Sequence, residues 1–197
     1  MSGILFAVVG PSGVGKTTIV DLLNKKHPLL FTKAVSTTTR CRRPHEIHSV
    51  DFNFVSIEEF NRLIILHQFI EYNQYNNYFY GTPFDSIIPL LDSNNFVIKI
   101  IEVKGIKKLI DTQIIPREHI VTFFITTPQK SDREKRLFER NDSVTEIDIN
   151  QRLVIGDGEL EFFEKNKNYF DHVIVNSELP QSFLLFEKLI LSYVSKY

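Results

Sequence analysis

The loop GPSGVGKT at residues 10–17 constrains this chain more than any other feature of its sequence. The apolar run at residues 4–9 predicts a buried strand before the loop, and residues 16–26 predict a helix after it. The loop fits the pattern G-x-x-x-x-G-K-[ST], whose glycines let backbone N–H groups converge on phosphate oxygens at the start of a helix. The sequence therefore predicts a nucleoside triphosphate site.

Two side chains of this loop have predicted tasks of their own. We expect Lys16 to reach the β- and γ-phosphates and the Thr17 hydroxyl to ligate Mg²⁺. A glycine-rich turn that binds nothing is the alternative, and the flanking strand and helix argue against it. The N-K-x-D tetrapeptide with which Ras-type GTPases read guanine does not occur, so a nucleotide kinase is favoured. The remaining predicted triphosphate contacts in the loop are Gly10, Pro11, Ser12, Gly13, Val14 and Gly15.

The rest of the chain alternates short apolar runs with longer amphipathic stretches. Buried strands alternating with helices predict an α/β fold, in which a parallel sheet carries helices on both faces. The segment 32–80 breaks this rhythm and predicts an inserted subdomain with short β pieces at 33–36, 53–55 and 69–72. Further core strands are predicted at 96–101, 121–125 and 173–175, and helices at 57–66, 104–112, 130–140, 146–165 and 180–194.

Composition excludes several classes of protein. With 23 Lys and Arg against 24 Asp and Glu, the chain lacks the basic surplus of a general nucleic-acid binder. Its single cysteine forms no internal disulfide, and no apolar run approaches the ~20 residues of a membrane span. We therefore expect one cytoplasmic globular domain without a nucleic-acid or membrane partner, and the sequence leaves its oligomeric state open.

Two polar clusters in segment 32–80 indicate a second substrate. Arg40, Arg42 and Arg43 lie within four positions, and guanidinium groups suit phosphate oxygens, although a solvated basic turn is the alternative. Glu71 follows an apolar pair, and a carboxylate there would accept hydrogen bonds from guanine N1–H and the 2-amino group. Adenine has an acceptor at N1 and no 2-amino group, so the same carboxylate would reject it. An ordinary surface glutamate is the alternative for Glu71.

Together these motifs resemble those of the guanylate kinases, and the resemblance spans nearly the whole chain. It implies a P-loop NTPase core with a parallel sheet and flanking helices, a small mixed β subdomain that binds GMP, and a helical lid. The implied boundaries are a core of 1–32, 83–128 and 168–197, a GMP-binding subdomain of 33–82 and a lid of 129–167. The motifs that carry the resemblance are GPSGVGKTT, AVSTTTRCRRPHE, VDFNFVSIEEF, FIEY, YGT, VIKIIEVKG, REKRLFER, INQRL and DHVIVNSEL.

The resemblance implies ATP-dependent phosphorylation of GMP, and of dGMP, with Mg²⁺, in purine nucleotide metabolism. On the GMP side, it implies that Arg40 and Arg43 hold the phosphate with Tyr80, while Ser36, Glu71 and Thr82 read guanine. Glu102, at the second strand acid of the family, is also expected to contribute to the GMP site. On the ATP side, it implies that the lid arginines Arg136, Arg140 and Arg152 close over the phosphates, with Asn176 near the adenine.

Three departures from the family pattern leave alternatives open. Phe52 stands where the family usually has a tyrosine, Ile100 replaces the first strand acid, and His45 occupies a turn position that is usually glycine. One alternative is therefore a catalytically impaired guanylate-kinase-like module that binds other proteins. The other is a P-loop kinase that acts on a different nucleoside monophosphate.

Overall fold

A computed structural model describes residues 2–75, 77–139 and 146–196. Most predicted helices and strands are present, with ends that agree or differ by up to three residues. The strands are β1 Ile4–Val9, β2 Phe31–Lys33, β3 Ser36–Thr38, β4 Phe52–Phe54, β5 Phe69–Tyr75, β6 Tyr78–Pro83, β7 Phe96–Ile100, β8 Ile120–Thr126 and β9 His172–Val175. The helices are α1 Lys16–Lys26, α2 Ile57–Ile65, α3 Ile88–Asp92, α4 Val103–Thr112, α5 Lys130–Glu139, α6 Glu146–Lys165 and α7 Leu179–Val194.

The strands form two sheets, and this confirms the predicted α/β fold. The larger sheet has five strands in the order β2-β7-β1-β8-β9, in which only β8 and β9 are both neighbours and consecutive strands in sequence. Such an order requires crossover connections, which the intervening helices provide. The smaller sheet has the order β4-β3-β6-β5 and is mixed: β3 pairs parallel with β4, whereas β6 pairs antiparallel with β3 and β5.

Two details of the sheets differ from the prediction. The single strand predicted at residues 33–36 is wrong, because β2 ends at Lys33 and β3 begins at Ser36 in the other sheet. The strand β6 was not predicted, because its tyrosines and neighbouring asparagines resemble a loop. The structure places Asn77 in the left-handed region at φ 64°, which asparagine tolerates and which closes the β5–β6 hairpin.

The chain forms two compact units. One comprises Met1–Leu5 and Thr32–Ile120, and the other comprises Phe6–Phe31 and Val121–Tyr197. The division into a core, a GMP-binding subdomain and a lid stays a prediction. None of the helices in the described part of the chain has the length and apolar character needed to cross a lipid bilayer.

Aromatic packing holds the elements of each unit together. In the first unit the Phe60 ring stacks on Phe69 with ring centroids 4.5 Å apart, which fastens α2 to the mixed sheet. In the second unit Phe124 stacks on Phe163 at 4.1 Å, which fastens α6 to β8. Both pairs bury large apolar surfaces, which is the main source of stability in such a fold.

Candidate functional site

The glycine-rich loop has the backbone shape that phosphate binding requires. Gly10 has φ 136°, and a Cβ there would collide with the Ile125 carbonyl oxygen of β8. Gly15, at φ 93°, is the N-cap of α1, so the N–H groups of the first helical turn face the loop. Only glycine adopts this succession of conformations without strain, and the result is a concave array of backbone donors.

A cavity of about 600 Å³ lies over this loop. Lys16 and Thr17 line it from the loop, and Arg136 and Arg152 line it from α5 and α6. Asp21, one helical turn after Thr17, also lines it and was not predicted. The cavity therefore brings together most of the residues predicted for the triphosphate. Arg140 lies outside the described residues.

Lys16 and Arg136 are both held against the loop backbone. The Lys16 ammonium donates to the Gly10 carbonyl oxygen and, at 2.8 Å, to that of Pro11. The Arg136 guanidinium donates to the Asn176 carbonyl oxygen at 2.9 Å, and its Nη1 lies 3.4 Å from that of Val14. Two positive charges thus converge at the mouth of the loop, as the stabilisation of a polyphosphate requires.

Asn176 is buried beside the loop with an unsatisfied acceptor. Its Nδ2 donates to the Val14 carbonyl oxygen at 2.8 Å, while its Oδ1 has no hydrogen-bond partner among the described residues. A buried polar atom without a partner is costly. Asn176 does not belong to the lining of the cavity over the loop, so the structure shows it supporting the loop backbone at Val14.

A second and smaller cavity, of about 70 Å³, lies on the mixed sheet of the other unit. Its lining includes five of the residues predicted for the second substrate, which come from β3, from β5 and β6, and from the N-cap position of α4. These are Ser36, Glu71, Tyr80, Thr82 and Glu102.

Both oxygens of the Glu71 carboxylate are anchored in this cavity. Thr82 Oγ1 donates to Oε1 at 3.1 Å, and the Glu102 backbone N–H donates to Oε2 at 2.7 Å. Burial, followed by the negative charge of Glu102, raises the pKa of Glu71 to about 7. These two hydrogen bonds and the positive charge of Lys99 oppose that rise. Glu71 is therefore poised to change its charge near neutral pH.

The arginine-rich loop is organised around Glu46. The Arg40 guanidinium donates to both Glu46 oxygens, at 3.0 and 2.6 Å, and the Arg43 backbone N–H donates to Oε2 at 2.8 Å. The hydrogen bonds from Arg40 lower the pKa of Glu46 to about 2. The Arg40 guanidinium also lies 5.7 Å from the centre of the Phe52 ring, whereas the Arg43 side chain is exposed. Glu46 thus shapes the loop and leaves Arg43 available to an anion.

The model of the guanylate kinase family matches residues 3–193 of this chain. The chain belongs to the guanylate kinase family. It is 36% identical over 193 residues to the guanylate kinase of Malacoplasma penetrans (strain HF-2), with 95% of each chain covered. It is 37% identical over 199 residues to that of Mesomycoplasma hyopneumoniae (strain J), covering 98% of this chain and 96% of the relative.

A solved guanylate kinase has the same fold. The crystal structure of guanylate kinase from Anaplasma phagocytophilum matches with a TM-score of 0.70 and 26% identity, over 98% of this chain and 86% of that one. The match confirms the family resemblance of the sequence and its implied guanylate kinase fold.

Three buried charged residues that hold these sites together were not predicted from the sequence. Lys99 is buried in β7, where its charge interrupts an apolar run, and that interruption is the signal that could have identified it. No local sequence pattern indicates that Glu46 binds Arg40. Arg133 is 1% exposed and donates to Asp157 at 2.6 Å, which joins α5 to α6.

Proposed function

We propose that the protein catalyses the Mg²⁺-dependent transfer of the γ-phosphoryl group of ATP to GMP, and to dGMP. The observation that carries this proposal is the anchored Glu71 carboxylate in the cavity of the mixed sheet. Its position suits a purine edge with two adjacent donors, which guanine has and adenine lacks. The intact lysine-bearing loop speaks against an impaired binding module, because such modules usually lose that loop.

On the triphosphate side, the loop amides and Lys16 hold the β- and γ-phosphates. The Thr17 hydroxyl, with the Asp21 carboxylate on the same helix face, offers the oxygen ligands that Mg²⁺ prefers. Bound there, Mg²⁺ would supply positive charge to the β- and γ-oxygens. Arg136, Arg140 and Arg152 neutralise the charge that develops during transfer, and Asn176 lies near the adenine.

On the GMP side, Ser36, Glu71 and Thr82 read the guanine edge, and Arg40, Arg43 and Tyr80 hold the phosphate. Glu102 contributes through its backbone N–H to Glu71 and through its carboxylate, which accepts from Asn73 Nδ2 at 3.1 Å. Phe52 provides a ring beside Arg40 in place of a hydroxyl. The loss of that hydroxyl predicts weaker GMP binding, by about 1–3 kcal/mol for a bond to a charged group.

The reaction needs positioning and positive charge rather than covalent chemistry by the protein. An oxygen of the GMP phosphate attacks the γ-phosphorus, the bond from that phosphorus to the bridging oxygen breaks, and ADP departs with the bond electrons. The segments 33–82 and 129–167 act as a GMP-binding subdomain and a lid in this proposal, and their closure would exclude water from the reacting phosphates.

A panel of acceptors tests the proposed function. ADP release in the presence of ATP and Mg²⁺ is measured with GMP, dGMP, AMP, CMP and UMP in turn. We expect ADP formation with GMP and dGMP and little with the others, because only guanine offers both donors to Glu71. A folded sample that forms no ADP with GMP would indicate the binding module, and a preference for another acceptor would indicate a different kinase.

Ionisation of Glu71 is expected to lower the KM for GMP about tenfold between pH 6 and pH 8, in addition to the smaller change that ionisation of the GMP phosphate produces. Only the ionised Glu71 accepts from both guanine donors. With a pKa of about 7, its ionised fraction rises from about one-tenth to about nine-tenths over this range. Initial rates at varied GMP and saturating ATP measure the change.

The same profile for Glu71→Gln is the control for this pH dependence. It should retain only the smaller change that comes from the GMP phosphate, whose second pKa is about 6. A wild-type KM that is flat above pH 6.5 would contradict the assignment of the titration to Glu71.

A further inference from the structure

Lys99 is a buried charge near the carboxyl end of the otherwise apolar strand β7. Its side chain is 8% exposed on β7, although lysine is rarely buried unless it is paired. The ammonium donates to the Ala34 carbonyl oxygen at 2.8 Å and to Ser36 Oγ at 2.6 Å. Burial lowers the pKa of Lys99 to about 8, so it is still mostly charged at pH 7. Burying a charged ammonium group costs free energy of desolvation, and this one contacts Ser36, a residue of the proposed guanine site. We therefore infer that the charge has a functional role.

The contact with Lys99 determines how the Ser36 hydroxyl is oriented. An ammonium group has three donors and no acceptor, so Ser36 Oγ accepts from Lys99 and directs its own hydrogen away from the ammonium. That hydrogen then remains available for an acceptor on a ligand in the cavity that Ser36 lines. Guanine presents an acceptor, O6, where adenine presents an amino group.

Lys99 also acts on Glu71, which lies in the same unit. The positive charge of Lys99 opposes the effect of burial on the Glu71 carboxylate, and the negative charge of Glu71 in turn favours the charged form of Lys99. Removing this countercharge from a poorly solvated site would favour protonated Glu71. A protonated carboxyl group has lost one of the two acceptors that guanine N1–H and its 2-amino group require.

We propose that Lys99 is a specificity-determining positioning residue of the guanine site, holding the Ser36 hydroxyl as a donor and the Glu71 carboxylate as an acceptor. The proposal rests on the proposed function, because it concerns how the same cavity distinguishes guanine. Lys99 acts through Ser36 and Glu71.

Other charged groups around this pair also influence its titration. Glu102, the N-cap of α4, raises the pKa of Glu71, and Lys33 on β2 lowers the pKa of Lys99. Helix α4 packs near Glu71 at Gly105, and Lys108 of that helix donates to the Phe69 carbonyl oxygen. All of these charges remain in a Lys99 variant, so a shift in the profile reports on Lys99 itself.

The test is the pH profile of the KM for GMP in the Lys99→Met variant, which keeps the length of the side chain and removes its charge. We expect the midpoint of the profile to move up by about one pH unit. The KM for GMP at pH 7 then rises about fivefold, because the ionised fraction of Glu71 falls from about one-half to about one-tenth. The KM for ATP should change less than about twofold, since Lys99 does not belong to the ATP-binding unit.

Lys99→Arg retains the charge and should keep the midpoint within about 0.3 units of the wild type. The matched control is Lys104→Met, an exposed lysine of α4, which should leave the profile unchanged. If the Lys99→Met variant does not fold, the Lys99→Gln variant is measured instead, because glutamine can still donate to Ser36 but carries no charge. The midpoint of the pH profile is expected to move up in the Lys99→Gln variant too.

A folded uncharged variant with the wild-type midpoint and KM for GMP would overturn the inference. An equal rise in the KM values for GMP and ATP would overturn it too, because that result indicates a general structural role. A wild-type protein without GMP-dependent ADP release would instead refute the proposed function. The wild-type measurement therefore distinguishes a failure of the proposed function from a failure of the inference about Lys99.

Discussion

Replacing Lys16 by methionine is expected to lower kcat for GMP phosphorylation by about 10³-fold or more. The Lys16 ammonium lies at the loop, donating to the Gly10 and Pro11 carbonyl oxygens, where it would meet the β- and γ-phosphates. Methionine keeps most of the apolar stem but supplies no charge to the phosphoryl group in the transition state. The KM for GMP should change little, because the guanine-reading residues belong to the other unit. Initial rates at saturating ATP and GMP measure the effect.

Lys25→Met is the matched control for this loss. Lys25 is exposed near the end of the same helix, α1, so its replacement removes one positive charge without touching the loop. We expect wild-type rates for Lys25→Met and a similar thermal unfolding midpoint for both variants. A Lys16→Met protein that retains more than about one-tenth of the wild-type kcat would contradict the proposed role of the loop.

The Glu71→Gln substitution is expected to lower kcat/KM for GMP by about 10²- to 10³-fold. The carboxylate accepts from Thr82 and from the Glu102 backbone, and Glu71 lines the cavity of the mixed sheet. An amide replaces one acceptor with a donor, which opposes a donor of guanine or of the protein. The preference for GMP over AMP should fall by a similar factor, since AMP makes no such pair. The measurement is kcat/KM for both acceptors at pH 8, where wild-type Glu71 is ionised.

Glu118→Gln is the matched control, because it makes the same chemical change at an exposed position of the same unit. It should leave kcat/KM for GMP and for AMP unchanged. The KM for ATP in Glu71→Gln should also stay within about twofold of the wild type. If Glu71→Gln kept the full preference for GMP, the guanine-reading role would have to be assigned to another residue.

The triphosphate loop could be predicted from sequence because its chemistry is local. Gly10, Gly15, Lys16 and Thr17 lie within eight positions, and their spacing alone determines how the backbone turns into α1. The purine cavity is different, since Ser36, Glu71 and Thr82 come from three strands whose register no short pattern specifies. Those residues were predicted through the family resemblance, and Glu71 also through the chemistry of guanine.

Only the tertiary structure determined the burial, the hydrogen-bond partners and the neighbouring charges of these residues. The apolar run around Lys99 predicts a buried strand, but only the packing of β7 near Ala34 and Ser36 shows what its ammonium contacts. In the same way, only the fold shows that Glu46 holds Arg40 and that Asp157 holds Arg133. Sequence alone determined the α/β class and the phosphate loop, because periodicity and spacing act over a few residues. Hydrogen-bond partners and pKa values depend on desolvation and on charges brought together from distant positions, and these exist only once the chain has folded.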